Sequence, residues 1–143
     1  MTKLDLKKIK KGIFLVNVLG IVFDTSSRKI LIGKREKDPY VPKLTWSFPG
    51  GTPVYGEDLE KSIEKQIKEK TGLKTKSLGP IFARIPPEKK EFLLIYYLCE
   101  KISGKEKPAK GFKELKWVSP IELEKHATTS IDPRLKEYIM NLK

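Results

Sequence analysis

The apolar pattern begins with two aliphatic and β-branched runs, residues 13–23 and 29–33, separated by the polar segment Asp24-Thr25-Ser26-Ser27-Arg28. Runs of that kind around a polar turn predict two antiparallel strands joined as a hairpin. Residues 45–48 predict a short third strand, ended by Pro49-Gly50-Gly51. Two glycines after a proline predict a sharp turn and a close backbone approach. From Glu57 to Thr71 the period changes: Leu59, Ile63 and Ile67 share an i, i+4, i+8 stripe and Gly72 stands as the stop, which predicts a helix. Strands are predicted over 77–84, 91–99 and 114–118, the first two joined by Ile85-Pro86-Pro87-Glu88-Lys89-Lys90. Ser119-Pro120-Ile121-Glu122 and Asp132-Pro133 carry helix-start signals, and Leu135, Ile139 and Leu142 give the last helix one apolar face. The expected class is α/β, with helices layered on a mixed β-sheet.

A chain of 143 residues fits one domain, so 1–143 is expected to be a single folded unit with 1–12 as a basic N-terminal arm. Hydrophobic residues at 38% and charged residues at 34%, with the apolar ones in runs, exclude a disordered or fibrous chain. Lys+Arg number 30 against 18 Asp+Glu, and the net charge of +12 sets polyanions as a partner class. Twenty-six of the basic residues are Lys, Gln occurs once and Asn twice. That balance suits a heat-adapted source, and an AT-rich genome produces a similar bias. The single Cys99 excludes an internal disulfide and the single His126 leaves no Cys/His zinc set, so a reducing, cytoplasmic setting is expected. The stretch 13–23 is too short to span a bilayer and is interrupted by Asn17 and Gly20. The lysines before it imitate the front of a signal peptide, but no small-residue cleavage site follows.

Trp46-Ser47-Phe48-Pro49-Gly50-Gly51-Thr52-Pro53-Val54-Tyr55-Gly56-Glu57, continuing through Glu64-Lys65-Gln66-Ile67-Lys68-Glu69-Lys70-Thr71-Gly72-Leu73, resembles the signature of the Nudix family. That signature reads Gly, five residues, Glu, seven residues, then Arg-Glu-apolar-x-Glu-Glu-x-Gly-apolar. Gly51, Glu57, Ile67, Glu69, Gly72 and Leu73 fall in register, whereas Lys65 replaces the Arg and Gln66 and Lys70 replace two of the glutamates. Leu31-Ile32-Gly33-Lys34-Arg35-Glu36 and Glu114-Leu115-Lys116-Trp117-Val118-Ser119-Pro120 are similar to the family as well. The resemblance implies the Nudix fold, an α/β/α sandwich with a mixed β-sheet. It implies hydrolysis of nucleoside diphosphates linked to another group, with Mg²⁺ or Mn²⁺ held by carboxylates of the helix. Gln66, Glu69 and Lys70 then stand at the catalytic positions, and Glu57, Lys65 and Gly72 at structural ones. Arg35, Gly50, Gly51 and Lys70 become candidates for the substrate phosphates, and Gly51, Glu69 and Glu114 for the metal.

The physical chemistry puts weight on the replacements. A divalent cation of this kind takes hard oxygen ligands and both offsets pyrophosphate charge and positions water. At about 100° per residue, positions 66, 69 and 70 point into one arc of roughly 100°. There the chain presents one carboxylate, one amide and one ammonium, a formal sum of zero. Gln66 offers a neutral oxygen and no general base, and Lys70 brings a positive charge to a place suited to a cation. Metal binding through this helix then needs another carboxylate, such as Glu114; Glu64 points about 160° away from Gln66.

Two readings of Lys70 stand side by side: an ammonium that replaces the metal and contacts phosphate, or a solvated lysine in a Lys-rich chain. Glu57 and Lys65 either brace loop against helix or are a solvated pair. Gly50 and Gly51 either line a phosphate pocket or only form the turn. Trp46 and Trp117 favour packing over base stacking. Tyr40, Tyr55, Tyr96 and Tyr97 are stacking candidates, although strand alternation turns one of Tyr96 and Tyr97 inward. His126 is expected at a helix end, serving the helix dipole or facing solvent. The functions in contention are a nucleoside diphosphate-linked ligand bound with hydrolysis weakened or lost, an Mg²⁺- or Mn²⁺-dependent pyrophosphohydrolase with rearranged metal ligands, a non-catalytic nucleotide- or RNA-binding or regulatory module, and a ligand-free scaffold. Mg²⁺ or Mn²⁺ is the cofactor if hydrolysis survives, and none is required otherwise. A homodimer is compatible with the composition, and no membrane partner is expected.

Overall fold

The computed structural model describes residues 12–35, 45–126 and 131–142. The basic arm Lys3 to Lys11, Glu36 and Tyr40 lie outside the described residues. The hairpin forms as its pattern predicts, from β1 (Leu15–Asp24) and β2 (Lys29–Arg35). Asp24 closes it: its carboxylate accepts from Ser26 N at 3.1 Å and Ser27 Oγ at 3.0 Å. β1 starts two residues later than predicted, leaving Ile13 and Phe14 outside the ladder and exposed.

Thr45 is outside the next strand, β3 (Trp46–Ser47), and Gly50–Gly51 is itself a short strand, β4, where a turn alone was expected. It pairs with β1 through Val18↔Gly51 and Leu19↔Gly50, since a segment without side chains can lie flat against the central strand. The helix α1 (Leu59–Thr71) begins two residues after Glu57 because Asp58 keeps an extended backbone at its N-cap. β5 (Leu73–Arg84) starts directly after Gly72, four residues before the predicted start, because the left-handed glycine reverses the chain at once. Pro80 sits in this outer strand, where a missing donor is tolerated, and the register shifts on either side of it. β6 (Phe92–Gly104), β7 (Phe112–Val118), α2 (Pro120–His126) and α3 (Pro133–Met140) complete the order.

The sheet runs β3-β2-β1-β6-β5, with β4 added on β1 and β7 on β2. β1 and β6 are parallel and the remaining pairs antiparallel, so the sheet is mixed. Both of its faces carry a core. On one, Ile63 and Ile67 of α1 pack with Val18, Val22, Leu31 and Tyr97; on the other, Leu123, Leu135 and Ile139 of α2 and α3 pack with Ile21, Ile30, Ile32 and Tyr96. Helix, sheet and helices make the α/β/α sandwich. Two covered faces also explain why Tyr96 and Tyr97 are both buried, each in a different core, where only one was expected to turn inward. Among the described residues, no helix is long and apolar enough to cross a membrane.

Candidate functional site

α1 is held at its C-terminal end by more than its glycine. Gly72 N donates to Lys68 O at 2.9 Å, Lys107 N to Thr71 O at 2.8 Å and Ala109 N to Lys70 O at 3.1 Å, while Thr71 Oγ1 donates to Ile67 O at 2.6 Å. The β6–β7 connection thus satisfies carbonyls that the end of a helix otherwise leaves open. Ile63 and Ile67, both fully buried, fix the rotation of the helix on the sheet. That rotation turns Gln66 and Lys70 toward Gly50–Gly51.

The contacts there are close. Lys70 Nζ donates to Gly50 O. A Cβ at Gly50 would collide with Val18 O, a backbone atom, so glycine is required there; one at Gly51 would meet the tips of the Gln66 and Lys70 side chains, 3.0 Å from Lys70 Nζ. Gln66 Nε2 donates to Thr52 O and to Ser62 Oγ, each at 3.2 Å, and Thr52 Oγ1 donates to Asn17 Oδ1 at 3.0 Å. Gln66 thereby uses amide donors that a carboxylate lacks. Burial holds the Lys70 ammonium below lysine's ordinary 10.5, the Arg35 guanidinium pushes it the same way, and Glu69 opposes them. Gly50, Gly51, Gln66 and Lys70 are thus brought together, with the Arg35 charge near enough to act on Lys70.

The remaining sequence candidates lie elsewhere. Glu69 is exposed and has no ion-pair partner among the described residues. Glu114 of β7 stands opposite Lys34 of β2 in the strand register and alternates with Leu115, which packs on the α1-side core, so it belongs to the opposite face of the sheet. Glu64 accepts from Ser77 N at 2.8 Å and is tied to β5. Glu57 and Lys65 form no ion pair with each other; Lys65 instead lines a groove with Glu64, Lys68, Lys74 and Thr75. Trp46 meets His126 edge-on at 5.5 Å, and the His126 ring is also engaged by Glu122 O at 3.0 Å and Lys116 Nζ at 3.2 Å. Trp117 Nε1 donates to Glu106 Oε1 at 2.7 Å, and Tyr55 is fully exposed. Asn17, Thr52 and Ser62 take part in the site without having been singled out for it. The available signals were Ser62 one helical turn before Gln66 and Asn17 as a polar break in an apolar run.

A helix-held divalent cation does not fit these residues. An ammonium occupies the Gly50 carbonyl, and no group of three or more His, Cys, Asp or Glu among the described residues is placed to hold a metal.

Residues 14–141 match the NUDIX domain. The chain belongs to the NUDIX family. A relative from Methanocaldococcus jannaschii named ADP-ribose pyrophosphatase is 32% identical over 129 residues, covering 87% of this chain and 74% of its own length. Nucleoside diphosphate-linked moiety X motif 6 of Mus musculus is 40% identical over 60 residues, 42% of this chain, and the match spans only 18% of that longer protein. Among solved structures, the MutT protein of Methanosarcina mazei superposes with a TM-score of 0.69 at 16% identity, covering 90% of this chain and 92% of its own. That likeness shows the fold. In this NUDIX chain side chains of the signature helix hydrogen-bond directly to carbonyls of Gly50 and of Thr52, which follows the Gly-Gly segment.

Proposed function

We propose that this NUDIX chain binds a nucleoside diphosphate-linked ligand beside Arg35, Gly50–Gly51 and α1, with pyrophosphate hydrolysis weakened or lost. One observation carries the reading: Lys70 Nζ donates to the Gly50 carbonyl from a position where the family signature has a glutamate. The ammonium supplies positive charge without a metal and, with Arg35, gives diphosphate oxygens charge-assisted donors. Gln66 cannot act as a general base, and Glu69 alone is a poor cage for a divalent ion. The ligand class follows from the relative named ADP-ribose pyrophosphatase.

The same name favours a second reading in which hydrolysis survives with other metal ligands. Titration of the purified chain with ADP-ribose in EDTA, followed by product analysis after incubation with Mg²⁺ or Mn²⁺, separates the two. Saturable binding in EDTA and intact ADP-ribose are expected. Release of AMP and ribose phosphate at an enzymatic rate would establish the second reading, and no binding in either condition would remove both.

A further inference from the structure

The connection between β6 and β7 does more than close the end of α1. Lys107 N and Ala109 N hold it to the helix through the Thr71 and Lys70 carbonyls. Beyond them the chain turns sharply, with Phe112 N donating to Ala109 O at 3.2 Å. Both central residues of this turn are left-handed, Lys110 at φ 51° and Gly111 at φ 99°. Glycine adopts that conformation freely, whereas lysine does so rarely. β7 then begins with a bulge: Arg35 stands opposite Phe112 and Lys34 opposite Glu114, which leaves Lys113 as the extra residue. Phe112 anchors the start of the strand, buried with its ring against Gly33, where a Cβ would press into it. Two backbone irregularities, one at Lys110 and one at Lys113, thus fall in the stretch that meets Arg35 at the end of β2.

The charges of that stretch are not cancelled locally. Lys110 and Lys113 are exposed and have no ion-pair partner among the described residues. Of the nearby carboxylates, Glu106 Oε1 accepts from Trp117 Nε1 at 2.7 Å and meets Lys101 Nζ at 3.9 Å, and Glu114 belongs to the opposite face of the sheet. Glu69, beside Lys70 on α1, sets one negative charge against those of Lys70, Arg35, Lys110 and Lys113. β2 carries β3, which leads into Gly50–Gly51, along one edge and β7 along the other. The cations therefore succeed one another across the end of the sheet: Lys70 at the Gly50 carbonyl, then Arg35, then Lys113 and Lys110. Lys70 and Arg35 match a diphosphate bridge with one charge per phosphorus, and the lysines beyond them are in excess of it.

On the reading that Arg35, Gly50–Gly51 and α1 hold a nucleoside diphosphate-linked ligand, we propose that Lys110 and Lys113 determine its specificity, selecting ligands that carry a phosphate beyond the diphosphate bridge. Each offers a compact ammonium to oxygens across Arg35 from the Gly-Gly segment. The backbone that carries them is tied to α1 at one end and to β2 at the other, so it is in place before the ligand arrives.

The test is calorimetric titration in EDTA, comparing ADP-ribose with ADP-ribose 2′-phosphate and diadenosine diphosphate with diadenosine tetraphosphate. The native chain is expected to bind the phosphate-richer member of at least one pair about tenfold more tightly. Which pair responds shows whether the added phosphate branches from a ribose or lengthens the bridge. Lys110→Asn/Lys113→Gln removes both ammonium groups and keeps a residue at 110 that suits the left-handed turn. It is expected to cut the preference to within about twofold and to leave ADP-ribose affinity within about threefold. Lys29→Gln/Lys90→Gln makes the same change in net charge at exposed positions elsewhere and should keep the preference. Unchanged thermal melts show that both variants are folded. ADP-ribose binding with no preference in either pair, a preference that survives Lys110→Asn/Lys113→Gln, or an equal loss in the second variant would overturn the proposal and leave the ligand site standing. Binding of no probe would remove the site itself, and the proposal with it.

Discussion

Two sides of one helix treat their lysines in opposite ways. Lys70 is half-buried, bonded to the Gly50 carbonyl and kept below its ordinary pKa by burial and by Arg35. Lys65 and Lys68 stand exposed, without ion-pair partners among the described residues, over an open groove. The side chains are chemically identical, so the difference lies in what the backbone brings against them: a side-chain-free strand on one side, and an outer sheet strand on the other. Composition alone treats all of these lysines as solvated charge. The fold turns one of them into a structural cation.

The largest effect that sharpens this comparison is expected at the closed side. Gly50→Ala drives a Cβ into the Val18 carbonyl, a backbone atom that cannot swing away, and should cost about 3 kcal/mol in denaturant unfolding. Gly51→Ala meets only the tips of Gln66 and Lys70; it should cost about 1 kcal/mol and weaken the ligand more than the fold. Lys70→Met keeps the length of the side chain and removes the ammonium. ADP-ribose affinity measured by calorimetry should fall about 10- to 100-fold, whereas Lys68→Met, on the open side, should change it less than about twofold. Equal effects of the two substitutions would erase the distinction between the sides. Gln66→Glu puts a carboxylate against the Thr52 carbonyl in place of an amide donor, and a loss of about 1–2 kcal/mol is expected in thermal or chemical unfolding.

The smallest effect is in pH. Because Lys70 titrates below 10.5 when folded, the native state releases this proton before the unfolded chain does. Stability from this group is therefore lower below the folded pKa and rises between that value and 10.5, while affinity that needs the ammonium falls over the same window. A ligand titration series through the alkaline range should show that loss in the native chain and not in Lys70→Met.

The sequence made the helix and its stop legible because Leu59, Ile63 and Ile67 face one core and Gly72 has no other conformational use at that position. The hairpin was legible for a similar reason, with polar turn residues between two apolar runs. The start of β5 was not, since Lys74 and Lys76 alternate with small or polar residues and carry little apolar signal. The capping of α1 by Lys107 and Ala109 runs through backbone N–H groups, which every residue has, so no side-chain pattern announces it. Glu114 was a plausible metal ligand until packing decided its face: its neighbour Leu115 turns to the α1-side core, and which face of β7 α1 covers is not written in the spacing of β7. At the site, the positions of Gln66 and Lys70 were visible as departures from the Nudix signature. Their bonds to Thr52 and Gly50 depend on how closely β4 lies against β1.

The most direct test of the claim that Lys70 takes the cation's place is a Mn²⁺ titration followed by electron paramagnetic resonance, on the native chain and on Gln66→Glu/Lys70→Glu. No saturable Mn²⁺ site is expected in the native protein and a stoichiometric one in the double variant, where carboxylates at 66, 69 and 70 share one arc of the helix. Stoichiometric Mn²⁺ binding by the native chain, lost on Glu69→Gln, would contradict that claim.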